Sequence, residues 1–372
     1  MLIGHVSDER FVALADVLLE FASGPTSVEA RSRATGSVHA ELAPGDYTVT
    51  LQKPGFGSKR TMLTIPPVAR SGAEPASFRL LSDGLLGYVW PKWVRAGQPA
   101  EFRVHSVEAY HLELFRYGLT KDRIRSLGWF DEHGPRAVMQ ITPDGDYSQT
   151  GVAWNQTGYT SKVHAQRVLA PERAGLYYFH ASTKSGAFFS FPWIVAPAQP
   201  RCPVAVLLSN INGNAYNNFG GRSNYINPAC LPGRPTVNAR QDLSRYTETN
   251  HRVYDRDDYA PLSFERPEPF QQIDAHEQAT DPIEGRNACH LAPAEWRLLA
   301  WLEREGLDAD VYAESQLHAG ELRLDDYRVL VLGPHPEYWT RQMYDHVKRW
   351  VFERGGRLIY LGGNGLNCEV EM

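Results

Sequence analysis

Cysteine is scarce in this chain: four in 372 residues, at positions 202, 230, 289 and 368, with no C-x-x-C pair. That spacing excludes a zinc ribbon and a redox dithiol, and free thiols in a reducing compartment are expected. There is no H-E-x-x-H, no Walker phosphate loop, no G-x-S-x-G elbow and no G-x-G-x-x-G fingerprint; the GGNG at 362–365 is only superficially like the last. Zincin, phosphate-cradling, serine-elbow and dinucleotide chemistries are thereby set aside. No apolar run approaches the ~20 residues of a bilayer helix, so no membrane partner is expected. The opening MLIGHVSDERF has no basic head before an apolar stretch, which argues against a secretory signal and for a cytoplasmic address. A formal charge of −5, with both signs interspersed, offers nucleic acid no basic stripe, and small or neutral partners are expected instead.

Aromatic residues are plentiful: 18 Tyr, 15 Phe and 9 Trp, a composition suited to packed cores and to concave ligand sites. The length suggests two or three domains of ~100–150 residues each. Residues 1–82 read as short strands punctuated by turns. Tyr47, Val49 and Leu51 alternate with Thr48 and Thr50 after the Pro44-Gly45-Asp46 turn. Gly4, Val6, Val17, Gly36, Leu42, Pro44, Gly45, Tyr47, Val49 and Gly55-Phe56 together resemble the transthyretin-like or carboxypeptidase-regulatory-like β-sandwich, which implies an accessory module. Residues 83–200 read as a second, immunoglobulin-like β-sandwich, closed by a hairpin across GLYYFHASTKSGAFFSFPWIVAP. Pro197 to Pro203 is a proline-punctuated boundary.

Beyond it the pattern changes. Val204–Leu208, Val329–Leu332 and Leu358–Leu361 are apolar throughout, as strands covered by helices on both faces are. Pro293 starts a helical pattern carried by Leu298, Leu299 and Leu302 and ended by Gly306. Thr340 can cap a second helix, with Met343, Val347, Trp350 and Val351 inward and Gly355-Gly356 at its end. With a further strand near Val311, residues 201–372 describe a flavodoxin-like, class I glutamine-amidotransferase-like α/β layer that reads as incomplete at its C-terminal end. About ninety residues separate its first strand from its first helical pattern, and long excursions at strand ends usually build sites.

In such a sheet the ligand lies outside the carboxyl ends of the strands. His335-Pro336-Glu337 follows one of them, and side chains two apart in extended chain point to the same side, here an imidazole and a carboxylate. The pair suits a metal ligand beside a general base, or, equally, capping of the following helix. Asn364, in LGGNG, stands at the next strand end. It either donates to a substrate oxygen or fills an ordinary left-handed turn. Tyr216 in NAYNN and Tyr254 in VYD are uninformative alone.

Taken together, AYNN, YD, SFERP, HPEY followed by a helix, and YLGGNG resemble the large subunit of the N,N-dimethylformamidases, over roughly residues 87–372. The resemblance implies a mononuclear iron, Fe3+, held by Tyr216, Tyr254 and Glu337, with His335 and Asn364 beside it; Tyr259 competes with Tyr254. Phenolate and carboxylate are hard oxygen donors and suit a hard, highly charged ion. It further implies hydrolysis of the C–N bond of a small amide substrate to amine and carboxylate, with a small subunit and further copies of the chain as partners. In the family the polypeptide continues past the last strand placed here and adds another acidic residue to the site. A non-catalytic amidotransferase-like binding or assembly protein is the competing reading, since fold alone does not exclude it. A cysteine hydrolase built on Cys368 is the weakest, for want of a nucleophile elbow.

Overall fold

The computed structural model describes all residues except 9–11, 68–74, 81, 83, 131–165, 218, 220–223, 225–234, 236–261 and 280–290. It is largely β-sheet with few helices. The first unit comprises β1 (Leu2–Ser7), β2 (Leu18–Ser23), β3 (Thr26–Arg31), β4 (Ser37–His39), β5 (Gly45–Gln52), β6 (Lys59–Ile65) and β7 (Ala76–Arg79). They form two sheets, in the orders β4-β1-β7 and β3-β2-β5-β6. Tyr47, Val49 and Leu51 of β5 point into their shared core beside Val17, Leu19 and Phe21, while Thr48 and Thr50 are only half-buried. This is the period-two signature of a strand with one covered face.

The second unit comprises β8 (Leu86–Trp90), β9 (Trp93–Arg95), β10 (Pro99–His105), β11 (Tyr110–Tyr117), β12 (Lys121–Phe130), β13 (Arg167–Leu169), β14 (Gly175–Thr183) and β15 (Phe188–Ala196). Its sheets run β13-β10-β8 and β12-β11-β14-β15-β9, and β14 and β15 form the antiparallel hairpin expected from sequence. Aromatic side chains fill the space between: Phe179 stacks on Phe191 at 5.1 Å, and Phe102 meets Phe130 edge-on at the same separation.

Four parallel strands build the third unit: β16 (Val204–Leu208), β17 (Asp310–Ala313), β18 (Val329–Leu332) and β20 (Arg357–Tyr360), in the order β17-β16-β18-β20. Its helices are α1 (Asn210–Tyr216), α2 (Ala292–Arg304), α3 (Glu314–His318) and α4 (Arg341–Arg354). A short parallel pair, β19 (Tyr338–Trp339) with β21 (Cys368–Glu369), lies beside the strand ends. Alternate residues of the strands enter two different cores. Ala205, Leu207, Leu330 and Leu332 join Met343, Val347 and Trp350 of α4. Val206, Leu208, Val311 and Val331 join Trp296, Leu299 and Leu302 of α2 together with Tyr117, Tyr178 and Ile194 of the second unit. The second unit thus covers one face of the parallel layer, and each fully buried Leu or Val contributes about 1.5–3 kcal/mol.

The helix ends follow the expected chemistry. Thr340 Oγ1 accepts from Met343 N–H, and Gly355 closes α4 at φ 74°, a left-handed position that glycine occupies without strain. Two expectations fail. β20 is not covered on both faces: Leu358, Ile359, Tyr360 and Leu361 are 38–46% exposed, and among the described residues β20 is the edge of the sheet and pairs only with β18. Nor is the segment after β16 wholly irregular. NINGNAY forms α1 despite Gly213 and three asparagines, poor helix formers that local propensity alone would leave unwound.

Candidate functional site

Tertiary contacts at both ends hold α1. At its start, Ile211 N–H donates to Glu314 Oε2 (3.1 Å), Asn210 Nδ2 donates to Ser315 Oγ (2.7 Å), and Ser315 N–H returns to Asn210 Oδ1 (3.1 Å). At its end, the Arg266 guanidinium, 1% exposed, donates to Asn214 O (3.1 Å), Asn214 Oδ1 (3.2 Å) and Phe219 O (2.8 Å). A cation against the last carbonyls of a helix satisfies orphan acceptors and the dipole together. Clamped this way, α1 delivers Tyr216 to the carboxyl end of β18.

Gly333 to Glu337 leave β18 there. Gly333 N–H donates to Leu207 O (2.9 Å), and a Cβ at Gly333 would press on that carbonyl and on Glu295 Oε1, each at 3.0 Å. His335 and Glu337 project to the same side, with His335 Nε2 3.5 Å from Glu337 Oε2. Tyr216 OH donates to Glu337 Oε2 (2.6 Å) and lies 3.2 Å from His335 Nε2. Glu337 is only 4% exposed, and α4 is capped by Thr340, so neither His335 nor Glu337 serves as the helix cap.

The segment after β20 closes the other side. Asn364 N–H donates to His335 Nδ1 (3.3 Å), which assigns the proton of a neutral imidazole to Nε2, the atom facing Tyr216 and Glu337. Gly363, at φ 77°, makes this approach possible: a Cβ there would collide with Pro334 O and His335 Nδ1. Asn367 Nδ2 reaches Glu337 Oε1 at 3.5 Å. Asn367 and Cys368 N–H both donate to Glu337 O, at 2.9 and 3.0 Å, which starts the β19–β21 pairing.

Beneath the site lie two further carboxyls on helices. Glu295 accepts Ser209 N–H (2.6 Å); burial pushes it up to about 7, against the lowering effect of that bond. Glu314 accepts Trp339 Nε1–H (2.9 Å) as well as Ile211 N–H; burial pushes it up to about 8, with the Glu295 charge adding to the rise. Asn212, on the same face of α1 as Tyr216 one turn earlier, is fully buried, and no partner for its carboxamide lies among the described residues.

Of the residues read from sequence, Tyr216, His335 and Glu337 come together, and Asn364 touches His335 through its backbone while its side chain is exposed. Tyr254 and Tyr259 lie outside the described residues. Cys368, half-buried beside Glu337, is held as a thiol by burial and by that carboxylate. Sequence reading missed Asn367, Glu314 and the role of Arg266. Asn367 sits three residues past a glycine-flanked asparagine that drew attention first; Arg266, in SFERP, carried no spacing to a partner.

The donors fit a hard cation. Among the described residues His, Cys, Asp and Glu form no group of three able to hold a metal, so a site drawn from the described residues around Glu337 counts the Tyr216 oxygen. That phenol and the buried Glu337 carboxylate converge as two oxygen donors, with an imidazole N–H beside them. No helix among the described residues is long and apolar enough to cross a membrane.

Residues 122–372 match the family model described as N,N-dimethylformamidase beta subunit-like, C-terminal. The N,N-dimethylformamidase beta subunit of Alcaligenes sp is 37% identical over 81 residues, covering 22% of this chain and 10% of that protein. That of Paracoccus aminophilus is 39% identical over 75 residues, covering 20% and 10%. The matched segment therefore spans about a tenth of the length of these curated relatives. A DUF3823 family protein from Bacteroides ovatus superposes with a TM-score of 0.17 at 11% identity, covering 49% of this chain and 92% of that one, too loosely to bear on the fold.

Proposed function

The chain belongs to the N,N-dimethylformamidase beta subunit-like family, and from that membership and the strand-end geometry we propose that it serves an iron-dependent amidohydrolase acting on a small N-substituted amide. The observation that carries the reading is the convergence of Tyr216 OH on Glu337 Oε2 at 2.6 Å, with His335 Nε2 3.2 Å from the phenol. In this proposal Tyr216 and Glu337 hold the ion, with Tyr254 or Tyr259 as the further tyrosine. The chemistry such an ion supplies when bound is Lewis acidity toward a carbonyl and toward water. His335, oriented by the Asn364 N–H, holds or moves a proton at Nε2. In the same reading the exposed Asn364 carboxamide donates to the substrate oxygen. Water adds to the carbonyl carbon, the C–N bond breaks, and amine and carboxylate leave.

We further propose three domains, 1–82, 83–200 and 201–372, the last flavodoxin-like and class I glutamine-amidotransferase-like; the β17-β16-β18-β20 order supports that reading. A small subunit and further copies of the chain are its proposed partners, since the curated relatives are named as beta subunits.

Metal analysis, visible spectroscopy and an amide hydrolysis assay on wild type and Glu337→Gln test it. The expected result is about one iron per chain with a tyrosinate-to-iron band, both lost in Glu337→Gln together with at least a roughly 100-fold drop in kcat/KM. A colourless, iron-free protein that hydrolyses amides would overturn the metal reading. Metal content and ligand binding untouched by Glu337→Gln would favour a non-catalytic binding or assembly protein.

A further inference from the structure

Tyr216 and Glu337 meet from segments 121 residues apart in sequence, and one buried side chain is bonded to both segments. Glu314, the first residue of α3, is fully buried. Its Oε2 accepts the N–H of Ile211, in the first turn of the helix that ends at Tyr216 (3.1 Å). Its Oε1 accepts the indole N–H of Trp339, two residues after Glu337 (2.9 Å). The neighbouring Ser315 is locked to Asn210 by a reciprocal pair of hydrogen bonds, so the start of α3 has little freedom to follow either segment.

We infer that Glu314 is a positioning residue: its carboxyl ties the Tyr216 helix to the Glu337 strand and sets the approach of the phenol to the carboxylate. The inference rests on the iron-site reading for its functional consequence, whereas the tie itself stands on geometry alone. Two N–H donors arriving from opposite segments require two acceptor oxygens, which Glu has and Gln lacks. In Glu314→Gln the amide NH2 must face either Ile211 N–H or the indole N–H, and one link opens at nearly constant volume. In Trp339→Phe the indole donor is gone. Combined with that change, the carboxamide introduced by Glu314→Gln can turn its oxygen to Ile211 and its NH2 to the vacated side, without a donor opposing a donor.

The test is a double-mutant cycle on the full chain: wild type, Glu314→Gln, Trp339→Phe and the double variant, each checked for folding by circular dichroism and thermal melting. Iron affinity by competitive chelator titration and the position of the tyrosinate-to-iron band are the first readouts. Glu314→Gln is expected to weaken iron binding roughly 10–100-fold and shift the band, the usual range for partners that orient ligands. In the Trp339→Phe background the same change should add less than about a twofold loss. An unchanged affinity and band in Glu314→Gln, or an equal loss in both backgrounds, overturns the inference. A wild type that takes up no iron instead fails the iron-site reading, and hydrogen exchange on the metal-free chain then decides the tie. Faster exchange in Glu314→Gln over both 210–216 and 337–340 supports it; acceleration of one segment only, or of neither, overturns it.

Discussion

Glu303, near the amino ends of the parallel sheet, and Glu295 and Glu314, near its carboxyl ends, are held in different ways. At the amino ends, toward the second unit, Glu303 is bound by Arg116, by Arg173 (3.0 Å) and by Leu119 N–H (2.8 Å). Burial alone would raise this carboxyl, but the hydrogen bonds and charges of its partners, Arg116 foremost, pull it below the usual range. Asp310, nearby, accepts from Arg201 N–H (2.8 Å) and Tyr327 OH (3.0 Å), and a cavity of about 230 Å3 opens between these groups. At the carboxyl ends, Glu295 and Glu314 have no lysine or arginine within 4 Å among the described residues; neutral N–H donors hold them, and burial raises both. Charge pairs join the units at both ends, Glu303 with Arg116 at one and Glu268 with Lys92 (3.0 Å) at the other, but the two carboxyls nearest the candidate site have none among the described residues. Those two, directly under the candidate site, are raised by burial rather than lowered by a partner charge.

Three substitutions test this difference. The largest effect belongs to Glu303→Ala, which leaves the buried Arg116, among the described residues, only the exposed Asp122 carboxylate at 3.9 Å; urea denaturation should show a loss of about 2–4 kcal/mol. A loss under about 1 kcal/mol would mean that the amino-end pairs do not fasten the units. Next comes Glu295→Gln, read as stability against pH. Below pH 4.5 the wild-type carboxyl is protonated folded and unfolded alike. From there to about pH 7 the unfolded chain releases a proton that the folded chain keeps, so stability falls, and above pH 7 it levels off. The slope attributable to this group is at most about 1.4 kcal/mol per pH unit. Gln keeps the acceptor for Ser209 N–H and should flatten that slope; an unaltered slope would show that Glu295 is ionised in the fold. The smallest effect is expected for Arg341→Ala, which removes an exposed pair with Glu369 (2.6 Å); it should cost less than about 1 kcal/mol and fade with salt.

What could be read from sequence is what local chemistry decides. Thr340 and Gly355 bound α4 because a side-chain acceptor and a residue tolerant of positive φ are needed within one turn of those positions. His335 and Glu337 share a side because extended chain alternates, and that geometry did not depend on any distant residue. Tyr216 was harder. Its helix has poor intrinsic propensity and exists because Arg266 and Glu314, 50 and 98 positions away from it, hold its ends. Glu314 and Glu295 gave no periodic signal, since a carboxylate in the first turn of a helix is the most ordinary of placements. The exposure of Leu358 to Leu361 was invisible for a related reason: an apolar run reports that a strand prefers cover, and only the pairing order shows that β20 stands at the edge.

The β19–β21 pair bears on when the site comes into being. Glu337 is fixed by Asn367 and Cys368 N–H, and His335 by Asn364 N–H, so the loop after β18 takes its shape only once residues 364–369 have docked. Tyr216, by contrast, sits on a helix whose clamps at 266 and 314 are synthesised much earlier. The phenol and the carboxylate it meets are 121 residues apart in sequence, and closing that separation is an entropic step that local structure cannot hasten.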